Sequence, residues 1–256
     1  MKKRIKKFLE FINPMQLPVL LLKFFLKTIY FFLFIISLGV WIGFLHFIDH
    51  QYRVSALTVI GKSDTESVIG TTALLNKNIW FIDEMKAREV INKINPFYEI
   101  TKIQKDYPST LSIYVRRLYP SAYLDVGDGF FLLSKEGSIL QKDRRVVHDS
   151  VPIISYYQYI PFSGYQTGTV IDKKDIRDVL YFIEVVKSAK EKVIRIDIAG
   201  YHMLGLYTDD HEYLFSSEKE RELQLYQFEE AIKQFQLQGI TYSRIDFRFD
   251  KPVVTF

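Results

Sequence analysis

The longest apolar run of the chain covers residues 29–48 and reads IYFFLFIISLGVWIGFLHFI. It contains no Asp, Glu, Lys or Arg, and His46 is its one histidine. A helix of this length rises about 30 Å, which matches the hydrocarbon core of a bilayer. The pattern therefore predicts a single transmembrane helix at 29–48, with everything after it outside the membrane.

Between residues 52 and 119 the apolar positions alternate between strand spacing and helix spacing. Strands are predicted at 54–60, 100–106 and 110–116, and helices at 64–75 and 83–93. Ser63 or Asp64 is expected to cap the first helix, and Asp83 the second. This order predicts a small βααββ domain over residues 52–119, in which two helices cover one face of a three-stranded sheet.

From Pro120 onward the apolar segments shorten and alternate with glycine-containing turns, a pattern typical of antiparallel strands. Two amphipathic helices interrupt them, at 172–190 and 217–237. Ser217 and Glu220 have the spacing of a capping box for the second helix, and Gly239 is its expected stop. Residues 120–256 are therefore predicted to form a larger α+β domain, built mainly from antiparallel strands with two helices.

The last long predicted strand, at 240–249, carries apolar and charged residues in alternation. Ile245, Phe247 and Phe249 share one face, and Arg244, Asp246 and Arg248 share the other. One interpretation is an ordinary edge strand whose charges prevent aggregation. The other is a docking edge whose unpaired N–H and C=O groups accept a strand from another protein. The alternation fits both interpretations.

Charge around the apolar run indicates its orientation. Residues 1–28 carry seven lysines and arginines against one glutamate, a net charge of +6, whereas the whole chain is only +4. Basic flanks remain in the cytoplasm, so the N-terminus is predicted inside and the C-terminal domains outside. The pI of about 8.9 is therefore a property of this tail and does not indicate nucleic-acid binding.

Two alternatives concern the same region. A cleaved signal peptide has an apolar core of about 7–15 residues and a small-x-small cleavage site, and neither feature is present here. Residues 15–26 are also apolar, but Pro18, Lys23 and Lys27 make a second span a poor interpretation. An interfacial helix with basic anchors is the prediction for that segment.

The residues offer little for catalysis. The chain has no cysteine, and therefore no disulfide or thiolate site. Ser216-x-x-Lys219 matches an acyltransferase motif, but no Lys-Thr-Gly accompanies it, so a helix cap with a solvated lysine is predicted. Asp209-Asp210-His211 is predicted to be a turn rather than a metal site, and no phosphate-binding loop is present. We expect no enzyme activity, cofactor, metal or small-molecule substrate, and a membrane-anchored hydrolase is the alternative.

Several segments resemble one family in order and spacing. Residues 57–61, LTVIG, and 107–122, YPSTLSIYVRRLYPSA, are similar to a POTRA (polypeptide-transport-associated) domain. Residues 132–139, LLSKEGSI, are similar to the hairpin that follows it, and 244–249, RIDFRF, to the family's C-terminal strand. Over nearly the whole chain the sequence resembles the bacterial cell-division family FtsQ/DivIB. It departs from the family at Arg116, usually Glu, and at Ser134, usually Asp.

The resemblance implies a non-enzymatic scaffold in the cytoplasmic (inner) membrane at the division septum. Its expected partners are FtsB/DivIC-like and FtsL-like division proteins, bound through an edge strand of the C-terminal domain. The motif carries over to Arg248 and Phe249, with Asp250 directly after them, and strand geometry adds Lys251 and Val253. The alternative function is a POTRA-type accessory of polypeptide transport or secretion.

Overall fold

The computed structural model describes residues 17–62, 67–148 and 150–256, with residues 17–21 described for their backbone only. Most of the basic segment predicted at 1–28 lies outside these ranges. The first element in the described ranges is helix α1, Leu17–Gln51. Residues 22–51 of α1 are apolar and long enough to cross a membrane, and no other helix in the described ranges meets that test.

Helix α1 is one continuous element of 35 residues, about 52 Å long. The prediction of a separate interfacial helix at 15–26 was wrong. The described residues of this segment belong to the same helix as the span and continue into it without a break. Pro18 lies in the first turn, where a missing N–H removes no helical hydrogen bond. The apolar side chains along 22–45 are exposed, since nothing in the described protein packs on them.

Three strands follow α1 and form the first sheet: β1, Ala56–Ile60; β2, Tyr98–Asp106; and β3, Thr110–Arg117. Their order in the sheet is β1–β3–β2, with β1 parallel and β2 antiparallel to β3. The Tyr107–Pro108 peptide bond in the turn between β2 and β3 is cis. Helix α2, Glu84–Ile94, begins where predicted, and the Asp83 carboxylate caps it by accepting the Lys86 N–H at 3.1 Å.

The other helix predicted for this region was wrong. Two short 3₁₀ turns, Thr71–Leu74 and Ile79–Phe81, occupy the chain between β1 and α2, and the proposed caps Ser63 and Asp64 lie outside the described residues. Gly70 precedes the first turn with φ +84°, a left-handed conformation that a helix does not continue through. Two threonines follow it, and their branched side chains disfavour an α-helix.

A second sheet contains nine strands. In chain order they are β4, Pro120–Asp125; β5, Phe130–Ser134; β6, Ile139–Asp143; β7, Ile153–Tyr156; β8, Arg195–Gly200; β9, Met203–Tyr207; β10, Glu212–Phe215; β11, Arg244–Asp246; and β12, Val253–Thr255. Across the sheet the order is β12–β11–β10–β9–β8–β7–β4–β5–β6. A third 3₁₀ turn, Phe162–Gly164, precedes helix α3, Lys174–Ser188, and helix α4 covers Arg221–Gln238.

This sheet is mixed. Five neighbouring pairs are antiparallel, and β4–β7, β7–β8 and β10–β11 are parallel. Parallel neighbours need a long crossover, and α3 and α4 supply those between β7 and β8 and between β10 and β11. The predicted class is confirmed: an α+β protein with one apolar N-terminal helix and two sheets, the larger having two α-helices.

Helices α3 and α4 share a hydrophobic core with the second sheet. Its centre is a stack of three aromatic rings. The Phe215 ring lies 4.1 Å from Phe182 and 5.1 Å from Phe247 between ring centroids, with interplanar angles of 7° and 11°. The three residues come from α3, β10 and the segment after β11, so the stack joins a helix to the end of the sheet.

The two sheets contact each other where β3 passes into β4. Phe97, which precedes β2, packs against a cluster formed by Leu118, Tyr123, Leu132 and Leu140. The Arg116 guanidinium lies 2.6 Å from the Glu99 carboxylate of β2 and 3.2 Å from that of Glu136, in the turn after β5. Arg116 therefore pairs with carboxylates from both sheets. Ser134, like Arg116, is a position at which the sequence departs from the family it resembles. Its hydroxyl accepts the N–H groups of Glu136 and Ser138, as a turn residue does.

We predict that Phe215→Ala lowers the free energy of unfolding by about 3–5 kcal/mol, because it leaves a cavity inside the ring stack. Denaturant unfolding of the full chain in detergent, followed by near-UV circular dichroism, measures the change. The matched control is Tyr226→Ala on the exposed side of α4, which should stay within about 0.5 kcal/mol of the parent. Equal effects of the two substitutions would contradict this view of the core.

Candidate partner-binding edge

Strand β12 forms one edge of the nine-stranded sheet. It pairs with β11 on one side, in the register Ile245↔Val254, and no described strand pairs with its other side. The strand predicted at 240–249 was too long, because β11 ends at Asp246 and is flanked on both sides by strands. The available edge is therefore β12, and residues 247–252 form the turn that leads into it.

Asp246 explains why β11 ends where it does. Its carboxylate is buried and accepts the Arg248 backbone N–H at 3.1 Å, which bends the chain into a turn. The Arg248 guanidinium also donates to both Asp246 oxygens, at 2.6 to 3.1 Å. These hydrogen bonds raise the pKa of Arg248 above its usual value, so the guanidinium stays charged. Arg248 is thus a partner of Asp246 rather than a free surface cation.

Lys219, which lies just before α4, binds the backbone of this turn. Its amino group donates to the carbonyls of Phe247 at 3.0 Å and Phe249 at 2.5 Å, and to the Gln227 side chain at 2.8 Å. The Gln227 amide donates in turn to the Asp250 carbonyl at 2.7 Å. Burial lowers the pKa of Lys219, and the charges of Asp250 and Asp246 oppose that shift. Three carbonyls of one turn are therefore fixed by two side chains.

With the backbone fixed in this way, the predicted site residues form one surface strip. Phe249 is 54% exposed, and Asp250, Lys251 and Val253 are exposed beside it, while Arg248 is partly covered by its ion pair. Phe256, which follows β12, is 77% exposed. We call the strip formed by residues 248–256 the C-terminal edge. It combines an unpaired strand with two exposed aromatic rings.

The opposite edge of the same sheet is covered. The Ile139 N–H of β6 donates to the Thr169 carbonyl at 2.9 Å, and the Gly168 N–H donates back to Ile139 at 2.7 Å. Lys142 is held by the carbonyls of Phe162 and Tyr165 at 2.5 and 2.7 Å. The segment from 162 to 169 therefore occupies the side of β6 that another strand would need. Of the two edges, the C-terminal edge is the one open to a partner strand.

The residues considered for catalysis have structural contacts. Lys219 binds the turn described above, so it is not the solvated lysine that was predicted. The capping box was also wrong: α4 begins at Arg221, and the Gln224 side chain bonds both the N–H and the carbonyl of Ser216. The stop at Gly239 is confirmed, with φ +65° and its N–H on the Phe235 carbonyl.

The Asp209-Asp210-His211 segment forms the predicted turn between β9 and β10. His211 Nδ1 lies 3.1 Å from a Glu191 carboxylate oxygen, and its ring stacks on Tyr242 at 4.3 Å. The Tyr213 hydroxyl donates to the same carboxylate at 2.6 Å. Burial, and then the hydrogen bond to Glu191, raise the pKa of Tyr213 above its usual value. These groups link the turn to the sheet, and in the described ranges no three His, Asp or Glu side chains are grouped for a metal.

Sequence reasoning missed Lys219 and Phe256 as parts of this site. The Lys219 contact joins residues about thirty positions apart, and no local sequence pattern predicts it. Phe256 had a usable signal, because the run VVTF at 253–256 combines β-branched and aromatic residues, which is typical of a strand. One long strand was predicted at 240–249, and the short strand that follows it was not predicted.

No protein-family model matches the chain. Over 109 residues it is 31% identical to the cell division protein DivIB of Clostridium botulinum strain Hall, which covers 43% of the chain and 41% of that relative. Over 131 residues it is 28% identical to the DivIB of C. botulinum strain Loch Maree, covering 50% of each. The chain spans about half the length of the curated relatives it matches, or less. These matches confirm the resemblance to the FtsQ/DivIB family.

We predict that Lys219→Met speeds hydrogen exchange of the backbone amides in 247–251, because the turn carbonyls lose their shared donor. The loss of stability should be about 1–3 kcal/mol. Hydrogen-exchange mass spectrometry of the full chain in detergent measures the exchange rates of backbone amides in both the turn and the core. Lys233→Met on α4, an exposed lysine, is the control and should leave the turn protected. Unchanged exchange in 247–251 would show that Lys219 does not hold the turn.

Proposed function

We propose that the chain is a membrane-anchored, non-enzymatic scaffold of the bacterial division machinery. The single observation that carries the proposal is the open, rigidly supported C-terminal edge in a chain similar to two proteins named DivIB. An unpaired strand with exposed aromatic residues is suited to binding another polypeptide. The Ser216, Lys219 and His211 side chains, the residues considered for catalysis, make contacts within the fold.

The proposed partners are small single-span division proteins of the FtsB/DivIC and FtsL type. A strand of the FtsB/DivIC-like partner would add to the outer side of β12 and continue the sheet. The main chain would then supply affinity, and side chains would select the partner. Phe249, Val253 and Phe256 offer the apolar contacts, and Asp250 and Lys251 offer charges at the turn.

Arg248 has a different role in this proposal from its neighbours. Its ion pair with buried Asp246 supports the turn, so its replacement disturbs the fold of the site as well as its surface. Arg248→Glu would place two carboxylates together, which is costly for a buried group. Phe249 and Val253 are cleaner probes of partner contact, because their side chains are more than half exposed. The Phe249 ring also lies 5.8 Å from the Arg248 guanidinium.

We place the protein in the cytoplasmic membrane at the division septum, with its N-terminus in the cytoplasm. The apolar helix at 22–51 supports the anchoring, and the +6 charge of residues 1–28 supports the orientation. The septal position rests on the division proteins that the chain resembles.

A transport or secretion accessory remains the second candidate. The unpaired side of β12 offers main-chain groups to an extended polypeptide, and this is the observation behind the second candidate. Specificity separates the two candidates, because a division scaffold prefers its cognate partner. A transport accessory would bind unrelated extended peptides with similar affinity.

We expect Phe249→Ala to weaken binding of an FtsB/DivIC-like ectodomain from the same organism by about 2 kcal/mol, or about thirtyfold. Val253→Asp should have a comparable effect, because it puts a charge beside the joining strand. Calorimetric titration of the full chain in nanodiscs measures the affinity, and Tyr159→Ala, which alters an exposed aromatic elsewhere, is the control. If both edge variants bind like the parent, the C-terminal edge is not the docking site.

A further inference from the structure

A group of aromatic side chains lies where α1 meets the first sheet. The ring centroid of Trp80 is 5.8 Å from that of Tyr52 and 4.7 Å from that of Tyr107. Trp80 is 57% exposed, and its neighbours Phe81 and Met85 are 86% and 82% exposed. We call these five residues the aromatic rim. Single exposed apolar residues are ordinary on a protein surface, but a contiguous group indicates a binding surface.

We propose that the aromatic rim lies in the headgroup region of the outer leaflet and is a second membrane contact beside α1. The occupant of this surface is therefore lipid. The inference extends beyond partner binding, since it depends on the membrane span and not on the C-terminal edge.

Hydrogen bonds fix the rim to the end of α1. The Asn78 side-chain amide donates to the Asp49 carboxylate at 2.8 Å, and Asp49 directly follows the apolar run at 29–48. The Ile79 N–H donates to the Tyr52 carbonyl at 2.8 Å, and the Val54 N–H donates to the Lys77 carbonyl at 2.9 Å. The 3₁₀ turn that carries Trp80 is thus bonded to both the last turn of the helix and the segment leaving it.

The depth of Trp80 follows from these bonds. Trp80 is two residues from Asn78, a chain distance of at most about 7 Å. Headgroups extend about 5–7 Å beyond each side of the hydrocarbon core. Residues bonded to the end of a span therefore lie at headgroup level, where Trp and Tyr are enriched because their rings are amphipathic.

The direction of the strands places the rim at the end of the first sheet that lies beside α1. β1 starts four residues after Tyr52, and the parallel strand β3 starts beside it, with Ala56 paired to Thr110. Tyr107 precedes β3, so it lies at the same end as α1. β3 then runs about 26 Å before it passes into the second sheet. The rim is therefore at the membrane end of the first sheet, and β4 begins at the other.

Charges near the rim are compatible with headgroups. Lys77 and Lys86 are exposed and line the same groove as Phe81. The acids next to it have partners: Asp83 caps α2, and the Glu84 carboxylate lies 3.5 Å from the Lys105 amino group. The exposed cations can therefore contact lipid phosphates while the aromatic rings enter the interface.

Quenching of Trp80 tests the proposal directly. The chain contains only two tryptophans, so Trp41→Phe leaves Trp80 as the sole reporter in the full chain. The protein is reconstituted in liposomes of phosphatidylcholine and phosphatidylglycerol, with and without lipids brominated near the headgroup end of the acyl chain. We expect the brominated lipids to reduce Trp80 emission about twofold and aqueous iodide to have little effect.

The matched control moves the reporter to the second sheet. A chain with Trp41→Phe, Trp80→Phe and Tyr159→Trp carries its tryptophan at a position that is 74% exposed, near the end of β4 distant from the first sheet. Iodide should quench this tryptophan and brominated lipid should not. The proposal would be overturned if iodide quenched the emission of Trp80 and brominated lipid did not. Partner titrations on the same samples report the proposed function separately, because the rim and the C-terminal edge share no residue.

Discussion

β1 and β3 run parallel, and this pairing decides which end of the first sheet lies beside helix α1. A parallel neighbour must start at the same end of the sheet, so the exit of the apolar helix and the start of β3 lie together. β3 then carries the chain to the other end, where Arg116 binds carboxylates of both sheets. The second sheet is thereby attached at the end opposite the membrane helix. A hairpin between β1 and its neighbour would have reversed the strand and removed this polarity.

The same reasoning, applied to β10 and β11, explains the C-terminal edge. Because these two strands are parallel, α4 must cross between them, and its start lies beside the turn that follows β11. That proximity lets Lys219 and Gln227 reach the carbonyls of the turn. The Phe215 ring stack fixes the turn from the core side through Phe247. The edge is therefore held rigid on its inner side, which lowers the entropic cost of binding a partner strand.

Local signals in the sequence were enough for the elements that local interactions define. The apolar run is a property of consecutive residues, and the Asp83 cap of α2 and the Gly239 stop of α4 depend on residues within about one helical turn; the structure has each of them. The error in the C-terminal strand concerns a contact distant in sequence. Alternating residues at 244–249 look like a strand in isolation, but Asp246 binds Arg248 and Lys219 binds the bent backbone instead. The short strand β12 is defined by its pairing with β11, whose paired residues lie seven to eleven positions earlier in the chain.

An open edge strand is an aggregation risk, and the architecture limits that risk in two physical ways. β12 has only three residues, so a chance strand gains few main-chain bonds by joining it. Asp250 and Lys251 place charges where an unrelated apolar strand would approach. Under the proposed function, a partner would therefore have to add side-chain contacts to Phe249 and Phe256 before binding became stable. The shortness of the strand consequently favours selective recognition, because main-chain pairing alone is too weak to hold an arbitrary polypeptide.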